Sequence, residues 1–305
     1  MTRPRLCILG GTGFVGRQVT AVFARHGFDI TVLTRAPARH RELLVLPSVR
    51  LVQADVHDPA TLRAAFAGCE GVINLVGILN ERGHRGRGFT RAHVTLAQNL
   101  LEACTAAGVT RLLHMSALNA GPQAPSHYLR SKGEAARRVL AAQGALGVTV
   151  FEPSVIFGAG DSFIARFTAL LRVMPVFPLA CPRARFAPVW VGDVAEAMWR
   201  SYARRDSFGQ RHALCGPTVY TLRELVKLAA RQAGLRRWIV GLPRWASWLQ
   251  AASMEWLPGK PFSLDNYRSL KLDSVCNGKD GFAALGITPT PLDAVLPEYS
   301  GNLPR

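Results

Sequence analysis

The chain has 305 residues, 49% hydrophobic and 19% charged, which excludes a disordered polypeptide and suits one enlarged α/β domain or a domain with a smaller lobe. Thirty-seven Lys and Arg against twenty Asp and Glu give a formal net charge of +17, so either anions attract the surface or the protein is simply a basic soluble one. No nucleic-acid-binding module accompanies the charge, so no nucleic acid is expected as partner, and no stretch approaches the roughly 20 apolar residues of a membrane span.

Arg5 to Leu9 is a short apolar run that reads as a buried strand. A helix over 14–26 follows, then strands at Asp29–Thr34 and Val49–Gln53, and a helix at Pro59–Phe66. A fourth strand is expected over 71–75, a helix over 90–107, a fifth strand at Arg111–Met115, a helix over 127–143 and a sixth strand over 148–151. This alternation predicts βαβ units and a parallel, doubly wound Rossmann-type α/β sheet. Right-handed crossovers then gather the loops after each strand along one edge, where ligands bind. Prolines 175, 178, 182 and 188 break up the next segment, before a helix over 193–204 and a core strand at Arg211–Leu214. The expected division is a nucleotide-binding domain over 1–158, rejoined by 189–215, and a smaller, mostly helical lobe from 159–188 and 216–305.

The chain starts directly on a strand without an apolar signal segment. Cys7, Cys69, Cys104, Cys181, Cys215 and Cys276 include no C-x-x-C pair and no zinc spacing. Reduced thiols, no metal and a cytoplasmic location are therefore expected, with peripheral contact at the inner face of a membrane as an extension. Residues 83–88, GHRGRG, read as a polar, flexible loop.

The first strand ends in Gly10-Gly11-Thr12-Gly13-Phe14-Val15-Gly16. Gly10, Gly13 and Gly16 supply a tight turn, a close backbone approach to a pyrophosphate and tight helix–strand packing. The helix that follows aims its first N–H groups, near Phe14 and Val15, at the phosphates. Arg35 follows the second strand, where a dinucleotide fold holds the ribose. An arginine there accommodates the 2′-phosphate of NADP(H), which is favoured over NAD(H), although a solvated surface arginine is the plain alternative. Arg17 and Arg39 are placed to assist. Asp55 and Val56 come after the third strand, at the adenine edge, with helix capping by Asp55 or Asp58 as the competing reading.

Tyr128 and Lys132 form Y-x-x-x-K on one helix face. An ammonium beside a phenol is expected to lower the phenol pKa, so that Tyr128 exchanges a proton with a carbonyl or alcohol. Ser116, twelve residues earlier, is placed to hydrogen-bond the substrate oxygen. With the glycine loop, this set resembles the short-chain dehydrogenase/reductase superfamily in its extended or atypical branch. The runs 74–79, 114–118, 128–132, 153–158 and 188–194 are similar to the family of the nucleotide-binding accessory subunit of respiratory complex I and its bacterial relatives, as is 296–299. The resemblance implies bound NADPH, an epimerase/dehydratase-type fold and, in the mitochondrial subunit, a binding and stabilising role. By position, Asn74, Leu75, Val76 and Gly77, and Pro153, Ser154, Val155 and Ile156, would line the nicotinamide side. One departure stands out: His93 occupies the place of an asparagine in the superfamily's proton relay, and either carries a proton or is a plain core or surface histidine.

In the lobe, Trp238, Trp245, Trp248 and Trp256 are interleaved with Arg236, Arg237 and Arg244. They suit contact with a membrane or a respiratory complex, a lid over an apolar, quinone-like small molecule, or ordinary core packing. The sequence supports two functions: an NADP(H)-dependent oxidoreductase or epimerase/dehydratase-type enzyme using Ser116, Tyr128 and Lys132, and a non-catalytic NADPH-binding accessory or assembly factor.

Overall fold

Short β-branched and aliphatic runs flanked by amphipathic helices fold here as a layered α/β structure. It is a computed structural model that describes residues 3–144, 146–258, 260–278 and 280–299, the last three by backbone only. Met1 and Thr2, and the side chains of the Pro297-Glu298-Tyr299 run, lie outside the described residues.

Seven strands form the central sheet: β1 (Arg5–Leu9), β2 (Asp29–Thr34), β3 (Val49–Gln53), β4 (Gly71–Asn74), β5 (Arg111–Met115), β6 (Gly147–Pro153) and β7 (Arg211–Leu214). Their order is β7-β6-β5-β4-β1-β2-β3, and every pairing is parallel. Parallel strands carry helices on both faces, so alternate residues of one strand feed two cores. Leu6 and Ile8 join Phe23 of α1 (Phe14–Arg25) and Met198 of α6 (Val191–Tyr202) on one face. Cys7 and Leu9 join Phe66 of α2 (Pro59–Phe66), Leu100 of α3 (Leu96–Ala107) and Val139 of α4 (His127–Ala141) on the other. The order reverses between β1 and β4, leaving a crevice beyond their carboxyl ends.

A third core gathers Leu171 of α5 (Ser162–Val173), Val226 of α7 (Leu222–Gln232), Phe186 and Leu292 into the lobe. The lobe is not purely helical. Val176–Leu179 pairs in parallel with Trp238–Gly241, and Arg185–Phe186 pairs with Tyr220–Thr221. Two further helices, α8 (Arg244–Met254) and α9 (Leu264–Ser269), close it.

Three expectations change. Residues 90–107 are not one α-helix: Thr90–Thr95 form a π-turn before α3, and such an inserted residue is common at functional sites. The loop over 83–88 is pinned: the buried Glu81 carboxylate accepts from the Gly86 and Gly88 N–H groups at 2.6 and 2.7 Å, and Lys260 Nζ donates to Gly83 O at 2.6 Å. The six cysteines are not all reduced. Cys215 and Cys276 form a disulfide, and only Cys7, Cys69, Cys104 and Cys181 are free. The 61-residue separation hid this pair from a spacing argument, and the fold brings their Cα atoms to 6.0 Å.

Arg111, on β5 and 3% exposed, fastens the opposite edge of the sheet. Its guanidinium donates to the carbonyls of Tyr202, Gly147 and Ser201 and to the hydroxyls of Thr149 and Ser207, all within 2.9 Å. Burial pulls its pKa down to about 10. Replacing Arg111 with Leu strands these acceptors, so urea denaturation should register a loss of about 3 kcal/mol or more. An unchanged midpoint would mean that water satisfies them equally well.

Candidate dinucleotide and catalytic site

The glycine loop is built by backbone geometry. Gly10 has φ +77°, a left-handed conformation that glycine adopts freely. Gly13 N–H donates to Gly10 O at 3.0 Å and closes the turn. Gly16 lies so close to Gly10 O that any Cβ there would overlap it, so α1 begins hard against the sheet edge. No side chain caps that helix at Gly13 and no acidic residue occupies its first turn. The N–H groups around Phe14, Val15 and Gly16 have no intrahelical acceptor and form a positive cradle of the kind that takes a pyrophosphate.

Three arginines were assigned to the ribose end. Arg17 is occupied: Nε donates to Thr12 O at 3.1 Å and Nη2 pairs with Glu42 at 3.0 Å. Arg35, directly after β2, and Arg39 are exposed and make no ion pair among the described residues. Asp58 caps α2, accepting from the N–H groups of Ala60 and Thr61, while exposed Asp55 accepts from His57 N–H at 3.0 Å. Val56, between them, is half-buried. The imidazole of His57 was not singled out from sequence. Its Nδ1 is buried without a hydrogen bond. Burial lowers its pKa, and Arg91 and Arg35 push the same way against Asp55. An anion-ready cradle, an unpaired Arg35 and an orphaned imidazole nitrogen fit a dinucleotide.

The nicotinamide end is organised around Lys132, which is 4% exposed. Its ammonium donates to Met115 O of β5 at 3.0 Å and to Val76 O after β4 at 3.3 Å. A Cβ on Gly77 would lie 3.0 Å from Nζ, so glycine there leaves room for the charge. Asn74 is buried and structural. Its Oδ1 accepts from Val76 N–H at 3.1 Å, and its amide nitrogen meets His114 Nδ1 at 3.2 Å. Leu75 N–H donates to Leu9 O, tying β4 to β1. Ser116 is buried, and its hydroxyl donates to Lys132 O at 3.4 Å. Lys132 and Ser116 thus meet at the carboxyl end of β5.

Tyr128 is half-buried, its ring edge-on to Phe89 at 6.0 Å and to His93 at 5.8 Å. Burial pushes its phenol up to about 12 and pulls Lys132 down to about 8. The expected depression of the phenol by the lysine is therefore reversed: Lys132 spends its donors on backbone carbonyls, and desolvation dominates. Tyr128 is positioned by a residue that the sequence reading missed. Asp265, on α9, accepts from the N–H groups of His127 and Tyr128 at 2.7 and 3.0 Å. It lies 137 residues from Tyr128 and has no local signal. Ser126 supplies the ordinary N-cap of α4, accepting from Leu129 N–H.

His93 sits in the π-turn with both nitrogens committed. Ser131 Oγ donates its single proton to Tyr128 O at 2.8 Å, so it accepts from His93 Nδ1–H, also at 2.8 Å. Ile78 N–H then donates to Nε2 at 3.2 Å. The ring is the neutral Nδ1–H tautomer, and burial followed by the Lys132 charge drops its pKa to about 2. As the chain stands, it is a strut and not a proton carrier.

Of the second apolar run, Pro153 ends β6 and Ile156 pairs with Val189. Val155 O accepts from Val189 N–H. Ser154 is turned away, donating to Ser274 O at 2.6 Å. A cavity of about 290 Å³ opens beside Phe89, His127 and Asp265, with Lys260, Glu255 and Trp256 on its far wall.

The NAD dependent epimerase/dehydratase family matches residues 6–216, which span the glycine loop, Ser116, Tyr128 and Lys132. The chain belongs to this family. Among individual relatives, the mitochondrial NADH dehydrogenase [ubiquinone] 1 alpha subcomplex subunit 9 of Arabidopsis thaliana is 30% identical over 280 residues, 88% of this chain and 68% of that one. A ceramide reductase of Caulobacter vibrioides is 29% identical over 242 residues, 78% of this chain and 73% of that one. An Escherichia coli NADPH-dependent quinone oxidoreductase, solved with NADPH, superposes with TM-score 0.73 at 21% identity, over 96% of this chain and 99% of that one. That likeness shows the fold. The seven-stranded sheet and its helices are thus those of an epimerase/dehydratase-family member, and the match includes the glycine loop.

The buried imidazoles set a pH dependence. His93 is held at about 2 and His114 at about 3, both below the ordinary 6.5, by burial first and Lys132 second. The unfolded chain therefore binds more protons than the folded one below pH 6.5, and stability falls as pH drops through that range. Each ring contributes a slope of about 1.4 kcal/mol per pH unit. Urea midpoints measured on the acid side should show a slope shallower by that amount in His93→Asn. Equal slopes would mean that His93 already titrates normally.

Proposed function

We propose that the protein is an NADP(H)-dependent oxidoreductase or epimerase/dehydratase-type enzyme acting on a small molecule. The observation that carries this reading is the anchoring of Lys132 Nζ on Met115 O and of Ser116 Oγ on Lys132 O at the carboxyl end of β5, on the helix that bears Tyr128 one turn earlier and at the same sheet edge as the glycine loop. The proposed cofactor residues are Gly10 to Gly16 for the pyrophosphate, Arg35 for a 2′-phosphate, Asp55 and Val56 at the adenine edge, and Asn74 to Gly77 with Pro153 to Ile156 at the nicotinamide end. Bound NADP(H) supplies or accepts the hydride. Tyr128 keeps its proton at neutral pH and gives it to the substrate oxygen from Oη. Ser116 hydrogen-bonds the same oxygen. Lys132, fixed on Met115 O and Val76 O, holds the strand ends in place and sets positive charge under the reacting atoms. The neighbouring cavity supports a substrate with a polar head, and the apolar lobe supports a quinone-like or other amphipathic body. Residues 1–158 and 189–215 are assigned to cofactor binding, and 159–188 and 216–305 to substrate or partner contact. A cytoplasmic location, peripheral at the inner face of a membrane, is proposed on the +17 net charge, since the Cys215–Cys276 disulfide removes the reduced-thiol argument for it.

A second reading is a non-catalytic NADPH-binding accessory or assembly factor of respiratory complex I or quinone metabolism. Two observations favour it: the committed nitrogens of His93 leave no onward relay, and the Arabidopsis relative is named as a complex I subunit. The readings separate on Tyr128→Phe, assayed by NADPH oxidation against a panel of ketones and quinones. The enzyme reading expects a fall of about 100-fold or more in kcat with NADPH affinity unchanged. A wild-type chain that binds NADPH but turns over none of the panel supports the accessory role. Arg35→Asp tests the cofactor. NADPH affinity should fall about tenfold while NADH affinity holds, since the change replaces a charge-assisted contact with repulsion. Equal losses for both would remove Arg35 from the 2′-phosphate.

A further inference from the structure

The four tryptophans do not pack in a core: Trp238 and Trp256 are 78% and 81% exposed, and Trp245 and Trp248 are 72% and 51% exposed. The fold turns all four outward. In the parallel ribbon, Phe177, Leu179 and Ile239 point into the lobe core, and Val176, Trp238 and Val240 point out, with Trp238 directly opposite Val176. Helix α8 follows at once and turns Trp245, Trp248 and Leu249 outward, at the i, i+3, i+4 spacing of a single helix face. Gln250 Nε2 donates to Pro178 O at 2.9 Å, holding that helix against the ribbon. Trp256 continues the face past the helix end and borders the cavity beside Tyr128's neighbours.

Beside Trp238 lies a second cavity of about 290 Å³, lined by Lys227, Arg231, Arg236 and Arg237 and by no carboxylate. Arg237 is anchored on Leu171 O at 2.7 Å. Lys227, Arg231 and Arg236 are exposed and make no ion pair among the described residues. Cations gathered round a concavity suit a phosphate, and tryptophans with an apolar rim suit the interfacial layer of a bilayer.

We propose that this face docks on a bilayer containing acidic phospholipid. The tryptophans seat in the interface and the basic cavity takes a headgroup phosphate. Charge selects this occupant: two copies carrying +17 each repel, whereas an anionic bilayer attracts. Docking so turns the mouth at Trp256 toward the lipid. This deepens the peripheral placement proposed above by naming the face and the lipid chemistry, and it holds whether or not the site turns over.

The full chain is sedimented with vesicles of phosphatidylcholine alone or mixed with phosphatidylglycerol. It should bind the mixed vesicles, bind phosphatidylcholine poorly and release in high salt. Trp245→Ala with Trp248→Ala should weaken binding by roughly tenfold or more. Arg231→Gln with Arg236→Gln should erase the phosphatidylglycerol preference. Both pairs are exposed, and unchanged NADPH affinity confirms their fold. Sedimentation with neither vesicle, equal binding to both, or binding untouched by the variants overturns the proposal. So does a concentration-dependent dimer that the tryptophan variant dissolves, which would make a second copy the occupant. A wild-type chain that turns over NADPH but sediments with neither vesicle rejects the docking face alone, and one that binds the mixed vesicles but turns over nothing rejects only the enzyme reading.

Discussion

A buried ammonium with no carboxylate partner among the described residues governs the centre of this molecule. Lys132 is satisfied by two strand-end carbonyls, Met115 O and Val76 O, so β4, β5 and α4 meet at one charge. Much else follows from accommodating it. A Cβ at Gly77 would crowd Nζ at 3.0 Å. His93 and His114 stay neutral because a second charge in the same desolvated region would be costly. The phenol on the preceding turn of α4 keeps its proton because burial disfavours the phenolate. The arrangement holds charge ready at an apolar crevice and anchors it by backbone atoms that side-chain substitution cannot remove.

Around that centre, the two ends of the sheet's strands divide the labour. The edge with Gly10, Asn74 and Met115 gathers functional groups where the strand order reverses. The opposite end is locked by Arg111, whose five short hydrogen bonds reach β6, α6 and the turn after α6. A crevice can carry unsatisfied donors and an open cavity because the other end of the same strands is so fully bonded. Asp265 adds the third anchor, because a carboxylate from the lobe fixes the helix that bears Tyr128. The lobe thereby positions a residue of the Rossmann half as well as walling the cavity.

The elements that could be read from sequence were those whose signal is local. Arg5–Leu9, Asp29–Thr34 and Val49–Gln53 fold over the residues expected, because a short apolar run and its flanking turns are written into consecutive residues. The glycine loop was legible for the same reason: each glycine marks a backbone demand at its own position. The π-turn was not, since Thr90–Thr95 carries ordinary helical residues and only the packing of His93 reveals the extra one. The disulfide and Asp265 depend on residues that topology brings together from far apart. The phenol pKa went the other way from the sequence reading because spacing places Lys132 near Tyr128 but says nothing of burial. The tryptophan stretch was read with core packing as one option, and the ribbon and α8 turned it outward.

The Cys215–Cys276 bond joins the end of β7 to a strand-like segment whose Ser274 is bonded to Ser154. Most of the lobe between them therefore leaves the core and returns to it at one place. The family match ends at residue 216, at the start of that excursion. A segment with both ends fixed at one point can be lengthened, shortened or exchanged without moving its anchors. The glycine loop is thereby insulated from change within the excursion, whereas the helix that bears Tyr128 is not, because Asp265 holds it from inside. One nucleotide cradle can be carried into new settings by rewriting a single closed excursion of chain.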